Sequence, residues 1–355
     1  MMSSTASAPT AGTASRNRYL DTLDAAWLQH LAPRADNAPT VISTFAGCGG
    51  SSLGYSMAGY RELLAVEWDQ NAVDTFRLNF PEVPVYHGDI AKLSVDEVLK
   101  TTGLAPGQLD VFDGSPPCQG FSTAGKRQMD DERNQLFREY VRLLKGLQPR
   151  VFVMENVSGM VKGKMKLIFV EILRELKAAG YRVSARLLNA MYFHVPQSRE
   201  RMIFIGVRED LGVEPSHPRA QGRPVTVREA TEGLSQVSVR VMSSRARQLW
   251  QKIPRGRNGT VASGPNKDFS LFKVNPLDAC PTIRKEQTTG NGLMHWDEAR
   301  WLSMEEMARI GTFPDRYRWI SPESAVNRIG NSVPPLFMRA IAQHIRAEIL
   351  ERFNP

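Results

Sequence analysis

The chain of 355 residues has only three cysteines, at positions 48, 118 and 280, and no two of them form a Cys-x-x-Cys pair. This spacing excludes a disulfide framework and a cysteine-rich zinc site, so we expect no bound metal. No apolar run approaches the roughly 18 residues that a membrane span requires. The N-terminus also lacks the apolar core of a signal peptide. These absences predict a cytoplasmic protein with no membrane partner.

Acidic residues are scarce in one segment. The whole chain has a formal net charge of +8, and residues 211–290 hold 13 Lys or Arg against 6 Asp or Glu. That segment carries most of the basic excess, which is typical of a surface that contacts a polyanion such as nucleic acid. A basic surface that serves only solubility is the alternative interpretation.

The pattern of apolar residues predicts the organisation of the fold. From residue 40 to residue 210, short β-rich runs alternate with helical stretches, which predicts an α/β fold with a doubly wound parallel sheet. We expect residues 1–39 to form a disordered or weakly helical extension and residues 40–210 to form the large domain. Residues 211–290 are expected to form a small basic domain, and residues 291–355 to end in a helix that returns to the large domain.

Polar turns follow five of the predicted strands, at Gly47, Glu67, Asp89, Cys118 and Glu155. Ligands of doubly wound sheets bind outside the carboxyl ends of the strands. Because these ends meet at one edge of a parallel sheet, we expect the five residues to share one crevice.

The first of these turns, "FAGCGGSSLGY", is rich in glycine, which allows a backbone to approach a ligand closely. Its glycine spacing differs from the G-x-G-x-x-G of dinucleotide-binding enzymes. Glu67 ends the next strand, where a carboxylate can accept both hydroxyls of a ribose, and Trp68 offers a flat face for a base or a sulfonium. Asp89 can accept a hydrogen bond from an adenine amine. These residues predict an adenosine-containing ligand and leave a nicotinamide-dependent oxidoreductase as an alternative.

Cys118 directly follows Pro116 and Pro117, which fix φ and remove two donors, so its loop is rigid. A lone cysteine is more often a buried structural residue, but such a residue sits in an apolar periodic setting rather than in a polar turn. Cys118 is therefore a candidate nucleophile.

Charged residues follow later strands as well. Glu155 comes after four apolar strand residues, where partial desolvation favours a protonated carboxyl, although a solvated helix cap is the alternative. Arg199 and Arg201 alternate across one residue of a strand and so project to one face. A surface salt-bridge cluster is the alternative for the two arginines.

Taken together, these motifs resemble the DNA cytosine-5 methyltransferases, of the prokaryotic restriction-modification or orphan type. The segments "FAGCGGSSLGY", "EWD", "GDI", "GSPPCQGFS", "MENV", "QSRER" and "RIGNSVPP" occur in that family's order. "PTIRKEQTTGNG" and "RWLSMEEMARIGTFPD" resemble its late region. The N-terminal 39 residues and residues 211–275 carry no recognisable motif.

The resemblance implies transfer of a methyl group from S-adenosyl-L-methionine to carbon-5 of a cytosine in double-stranded DNA, with S-adenosyl-L-homocysteine as product. It makes Cys118 the nucleophile that forms a covalent adduct with a flipped-out base. Glu155 would contact the ring nitrogen and amino group, Arg201 the ring carbonyl, and Arg199 would support this site. The implied cofactor residues are Phe45, Gly47, Gly49, Glu67, Trp68, Asp89, Ile90, Pro117, Asn331 and Val333.

For DNA binding, the resemblance implies that residues 119–134 form a mobile loop and that the 211–290 segment recognises the target. The candidate DNA contacts are Gln119, Ser122, Lys126, Arg127, Arg245, Arg255 and Arg257. We expect a monomer that associates with the nucleoid while acting and is functionally paired with a cognate restriction endonuclease. Methylation of tRNA by an enzyme of the same family is the main alternative, and a catalytically silent DNA-binding factor is another.

Overall fold

The computed structural model describes residues 17–117, 132–161, 165–235, 237–285 and 290–352. Its helices are α1 (Arg18–Leu31), α2 (Gly50–Met57), α3 (Gln70–Asn79), α4 (Val95–Thr102), α5 (Glu132–Leu147), α6 (Met165–Ala178), α7 (Val227–Thr231), α8 (Ser244–Lys252), α9 (Thr260–Ser263), α10 (Met304–Ile310), α11 (Pro322–Asn331) and α12 (Pro335–Glu348). Its strands are β1 (Thr40–Thr44), β2 (Arg61–Glu67), β3 (Val85–His87), β4 (Val111–Gly114), β5 (Val151–Val157), β6 (Tyr181–Asn189), β7 (Gln197–Ser198), β8 (Glu200–Arg208), β9 (Arg257–Asn258), β10 (Leu271–Lys273), β11 (Cys280–Pro281) and β12 (Gly292–Met294).

Seven strands form the main sheet in the order β3-β2-β1-β4-β5-β8-β6. The first five pair in parallel, which confirms the predicted α/β fold. β8 differs from the prediction because it runs antiparallel to both β5 and β6. The connection between β6 and β8, residues 190–199, is shorter than the dozen or more residues that a parallel crossover needs. The chain therefore returns in the opposite direction.

The order of the strands reverses at β1. From β1 the chain moves outward through β2 to β3, and it then crosses back to place β4 on the other side of β1. The loops after β1 and β4 therefore diverge and leave a crevice at the carboxyl edge, where ligands of such sheets bind.

Hydrophobic clusters cover both faces of this sheet. One cluster joins residues of α1, α2, α3, α11 and α12, and the other joins residues of α4, α5 and α6. The C-terminal helix α12 lies on α2 so closely that a Cβ at Gly54 would be 2.5 Å from Met338 Cβ. Since both faces are covered, β1 and β4 are buried along their whole length.

A third, smaller cluster lies beside the three-stranded sheet β12-β10-β9. Its residues run from Met242 to Trp301, whereas Val227, Val274 and Cys280 pack into the main core. The domain limits at residues 211 and 290 stay a prediction. Within the described residues, no helix is both long and apolar enough to cross a bilayer.

Candidate active site and cofactor cleft

The turn after β1 has an unusual backbone. Phe45, Gly47 and Gly49 have φ values of 56°, 56° and 95°, so left-handed residues alternate along it. A Cβ at Gly49 would lie 2.6 Å from Phe80 Cε2, which makes glycine a steric requirement there. This conformation turns the amide of Gly47 toward the carboxylate of Glu67, and Gly47 N donates to Glu67 Oε2 at 2.7 Å.

Backbone amides hold the carboxylate of Glu67. Besides the amide of Gly47, the amides of Trp68 and Asp69 donate to its Oε1 at 2.8 and 2.9 Å. The residue is 8% exposed. Each carboxylate oxygen can accept more than one hydrogen bond, so Glu67 presents fixed acceptors to a ligand with neighbouring hydroxyls.

A cleft of ≈ 690 Å³ opens at this edge of the sheet. The indole of Trp68 is 76% exposed beside it and offers a flat apolar face. One oxygen of Asp89 accepts from the amide of Ala91 at 2.9 Å, which fixes the carboxylate at the rim. The cleft is lined by six of the predicted cofactor residues, namely Phe45, Glu67, Trp68, Asp89, Ile90 and Pro117. Fixed carboxylates and an open aromatic face fit the adenosine part of S-adenosylmethionine.

Part of the lining of the cleft comes from α5, which the sequence reasoning did not include. It consists of Gln135, Leu136, Arg138 and Glu139. The sequence could indicate a helix here but not that the first turns of this helix line the cleft.

Of the other predicted cofactor residues, Gly47 and Gly49 lie within the glycine turn, Asn331 ends α11 and Val333 follows that helix; none of the four is among the residues that line the cleft. The Val333 carbonyl would be 2.5 Å from a Cβ at Gly50, and Ser332 Oγ lies 3.2 Å from Cys48 Sγ. The segment after α11 therefore supports the turn at the start of α2. Asn331 is exposed at the end of α11.

Glu155 and Arg201 form an ion pair in which Arg201 Nε lies 2.5 Å from Glu155 Oε1. Their side chains are only 12% and 14% exposed. The antiparallel direction of β8 produces this pair, because the register sets Arg201 opposite Val157 at the end of β5. If β8 ran parallel to β5, the first residues of β8, including Arg201, would lie at the other edge of the sheet.

Arg199 is 2% exposed and ties three segments together. Its Nη1 donates to the Ile283 carbonyl and its Nη2 to the Gly330 carbonyl, both at 3.1 Å. Burial and the charge of Arg201 lower the pKa of Arg199 to about 9, against the opposing effect of Glu155. The guanidinium is therefore still charged at neutral pH.

Asn156 connects the strand of Glu155 to the turn before Cys118, a contact that the sequence reasoning missed. Its Nδ2 donates to the Pro116 carbonyl at 3.1 Å, and its Oδ1 accepts from the amide of Val157 at 2.9 Å. Because proline has no N–H, the carbonyl is the polar backbone group by which Pro116 can be held. An amide placed directly after the glutamate, at the end of an apolar run, was the available signal.

The predicted nucleophile Cys118 lies outside the described residues, as do the predicted DNA contacts Gln119, Ser122, Lys126 and Arg127. The other two cysteines are free and buried. Burial raises the pKa of Cys48 to about 11 and raises that of Cys280 further. Neither thiol is ionised near neutral pH, so neither of these two cysteines is a plausible nucleophile.

The three arginines predicted to contact DNA have different surroundings. Arg245 pairs with Asp268 at 2.8 Å, Arg255 pairs with Asp297, and Arg257 is exposed on β9. The sequence reasoning missed a groove of ≈ 500 Å³ beside the small sheet. Its lining includes Asn258, Phe269, Arg284, Lys285 and Asn291, and no acidic residue among those that the structure describes.

Within residues 17–117, 132–161, 165–235, 237–285 and 290–352, no group of three or more His, Cys, Asp or Glu side chains is arranged to hold a metal ion.

The chain matches the model of the C-5 cytosine-specific DNA methylases over residues 39–347. It is 34% identical over 334 residues to the Type II methyltransferase M1.HphI of Haemophilus parahaemolyticus, covering 86% of each chain. It is 31% identical over 370 residues to the Type II methyltransferase M.DdeI of Desulfomicrobium norvegicum, covering 86% of this chain and 88% of the relative. A prophage-encoded structure from E. coli, described as a DNA modification methyltransferase, superposes with a TM-score of 0.73 at 25% identity over 88% of this chain and all of that chain.

The chain therefore belongs to the C-5 cytosine-specific DNA methylase family and is a DNA cytosine-5 methyltransferase. Membership of this family implies DNA as the substrate and S-adenosylmethionine as the methyl donor.

Proposed function

We propose that this protein transfers a methyl group from S-adenosylmethionine to carbon-5 of a specific cytosine in double-stranded DNA, through base flipping and a covalent Cys118 adduct. The observation that carries the proposal is the ion pair of Glu155 and Arg201. It lies next to the residue that holds the Pro116 turn, at the same sheet edge as the cofactor cleft.

The chemistry requires these groups because carbon-5 of cytosine is a poor nucleophile. Addition of the Cys118 thiolate to carbon-6 makes carbon-5 enamine-like. A hydrogen bond or proton from Glu155 at the ring nitrogen, with Arg201 at the carbonyl oxygen, stabilises the charge that develops in the ring. Carbon-5 then accepts the electrophilic methyl group that S-adenosylmethionine supplies. Loss of the carbon-5 proton to solvent and elimination of the thiolate restore the aromatic ring.

The cofactor site follows from the cleft. Glu67 accepts the ribose hydroxyls, Asp89 accepts the adenine amine, and the adenine lies between Trp68 and Ile90. Phe45 and the Gly47 turn face the methionine part, and Pro117 closes the side toward the reacting base. Gly49 belongs to the turn itself, Val333 supports the turn through its carbonyl beside Gly50, and Asn331 stays a candidate on the resemblance alone.

The basic segment would bind the DNA. The target atom is inaccessible inside a duplex, so the base must flip out at a cost of a few kcal/mol, which phosphate contacts offset. Arg257, Arg245 and Arg255 are candidates for such contacts, although the last two must exchange a carboxylate for a phosphate. Because the relatives are named Type II methyltransferases, we include a cognate restriction endonuclease as a functional partner.

The test is transfer of tritium from labelled S-adenosylmethionine to mixed-sequence duplex DNA. We expect counts in the DNA with wild-type protein and none with Cys118→Ala. Cys280→Ala removes a buried thiol and serves as the matched control, which should retain transfer. Well-folded wild-type protein that labels no DNA would contradict the proposal.

Methylation of tRNA is the second candidate, and the family match does not favour it. An excess of unlabelled tRNA in the same assay separates the two substrates. Labelled tRNA with unlabelled DNA would replace the DNA proposal by the tRNA one.

A further inference from the structure

Helix α1 precedes the residues that match the family, which begin at residue 39, yet it is part of the main core. Tyr19, Leu23, Ala26 and Trp27 form its buried face, and none of them is more than 7% exposed. At its start, Asn17 Nδ2 donates to the Glu229 carbonyl at 2.8 Å. The hydroxyl of Tyr19 also donates to the Arg309 carbonyl. The start of α1 is therefore fixed to α7 and α10.

At its other end, α1 is joined to α2 by Arg34. The guanidinium donates to the Ser56 carbonyl at 3.0 Å, to Ser56 Oγ at 2.6 Å and to the Tyr60 carbonyl at 3.0 Å. It also donates to the His30 carbonyl at 2.9 Å. Carbonyls at the end of a helix lack partners within the helix and lie at the negative end of its dipole, so a cation that bridges two such ends holds both helices.

A second connection runs from α1 to the glycine turn through aromatic rings. The ring of His30 meets Phe80 edge-on, with centroids 5.3 Å apart, and Phe80 stacks on Phe76 at 4.6 Å. Phe80 is the ring that a Cβ at Gly49 would strike. His30 also makes a 2.8 Å hydrogen bond with Ser56 Oγ on α2. His30 thus supports the ring on which the Gly49 backbone rests.

We propose that α1 positions the cofactor-binding turn, with His30 acting through Phe80 and Arg34 acting through the end of α2. Both residues are positioning residues, because neither lines the cleft. The inference rests on the proposed function, since it takes S-adenosylmethionine to bind beside the Gly47 amide. A shift of the turn would loosen the hydrogen bond from that amide to Glu67.

The experiment measures the Kd of S-adenosylhomocysteine by calorimetry and the KM values and kcat of methyl transfer for His30→Ala. At metal sites, substitution of the residues that orient the ligands from behind costs roughly tenfold or more in affinity, and we take the lower end of that range for His30. We expect Kd and the KM for S-adenosylmethionine to rise by about tenfold, while kcat at saturating cofactor and the KM for DNA change by less than about twofold. His30→Phe keeps a ring against Phe80 and should restore most of the affinity.

Two controls separate positioning from general loss of stability. Leu176→Ala removes a fully buried side chain of α6 in the other core cluster, so it should lower the melting temperature but leave Kd unchanged. Leu28→Ala alters the exposed face of α1, where the leucine is 61% exposed, and should change neither. If His30→Ala does not fold, Arg34→Gln tests the same connection at the end of α2.

The inference would be wrong if wild type and His30→Ala had equal Kd values, or if Kd rose equally in His30→Ala and Leu176→Ala. Either result would leave the proposed function unaffected. Wild-type protein that binds no S-adenosylhomocysteine would instead overturn the proposed function, and the inference with it.

Discussion

Glu62 carries a carboxyl whose Oε2 is buried beneath α2, and replacing the residue with glutamine should make the protein less sensitive to alkaline pH. Ser52 Oγ donates to Glu62 Oε1 at 2.8 Å. Burial raises the pKa of Glu62 from 4.5 to about 7, and the hydroxyls of Ser43 and Ser52 offset part of that rise. Because the folded state holds this proton more tightly than the unfolded state, the stability it contributes is complete below about pH 4.5. That stability is lost as the pH rises through about 7.

The magnitude follows from the two pKa values. A shift from 4.5 to about 7 corresponds to about 3 kcal/mol in total, and about 2.5 kcal/mol of this is lost between about pH 5 and about pH 8. Glu62→Gln keeps the shape and a neutral polar group, so it has no such loss. The free energy of unfolding of the variant, relative to wild type, should therefore increase by about 2.5 kcal/mol over that interval.

Urea unfolding followed by circular dichroism at about pH 5 and about pH 8 measures this difference. Glu82→Gln, at an exposed carboxylate in the loop after α3, is the matched control. The control should follow wild type at both pH values. The reasoning is wrong if the difference between Glu62→Gln and wild type is the same at both.

Three further variants probe the site. Glu155→Gln should lower kcat by about a hundredfold or more because it removes the carboxyl that is proposed to contact the cytosine ring and that pairs with Arg201. Single-turnover transfer near the wild-type rate would contradict this. Glu67→Gln should raise the KM for S-adenosylmethionine by about tenfold with a smaller change in kcat. The reason is that the glutamine NH2 group cannot accept the hydrogen bond that one of the two carboxylate oxygens accepts. An unchanged KM would remove Glu67 from the cofactor site. Asn156→Asp replaces the amide that donates to the Pro116 carbonyl by an oxygen that repels it. We expect kcat to fall by about tenfold or more while the Kd of S-adenosylhomocysteine stays within about twofold. Equal losses in kcat and in affinity would indicate general misfolding.

The sequence was sufficient to predict the crevice but not its full geometry. Glu67 and Asp89 could be grouped because strand-end turns of a parallel sheet must converge at one edge, and both line the cleft, whereas Gly47 and Glu155 are not among the residues that line it. The same reasoning could not show that β8 runs antiparallel, since apolar periodicity is identical in both directions. Only the length of segment 190–199 carried that information. This direction decides that Arg201 reaches Glu155.

Contacts between distant segments were also beyond the sequence. Helical spacing indicated a helix in the stretch that forms α1, but the partner of its apolar face depends on the packing of α2, α7 and α12. For the same reason the α5 wall of the cleft was missed. Arg199 was singled out on the alternation of charges, whereas its two carbonyl partners lie 84 and 131 residues away.

The charges around Glu155 affect the ionisation expected for the thiol of the proposed nucleophile, Cys118. Arg201 is paired with Glu155, so the pair contributes little net charge to this corner of the sheet. Arg199 donates to two carbonyls, and burial, together with the charge of Arg201, lowers its pKa. A buried cation favours an anion in its vicinity, and thiolates form at reduced pKa beside arginine. With Cys118 as the proposed nucleophile, Arg199 would lower the free energy of its thiolate while Arg201 stays available for the base. The two arginines would then have different roles, one toward the nucleophile and one toward the cytosine carbonyl.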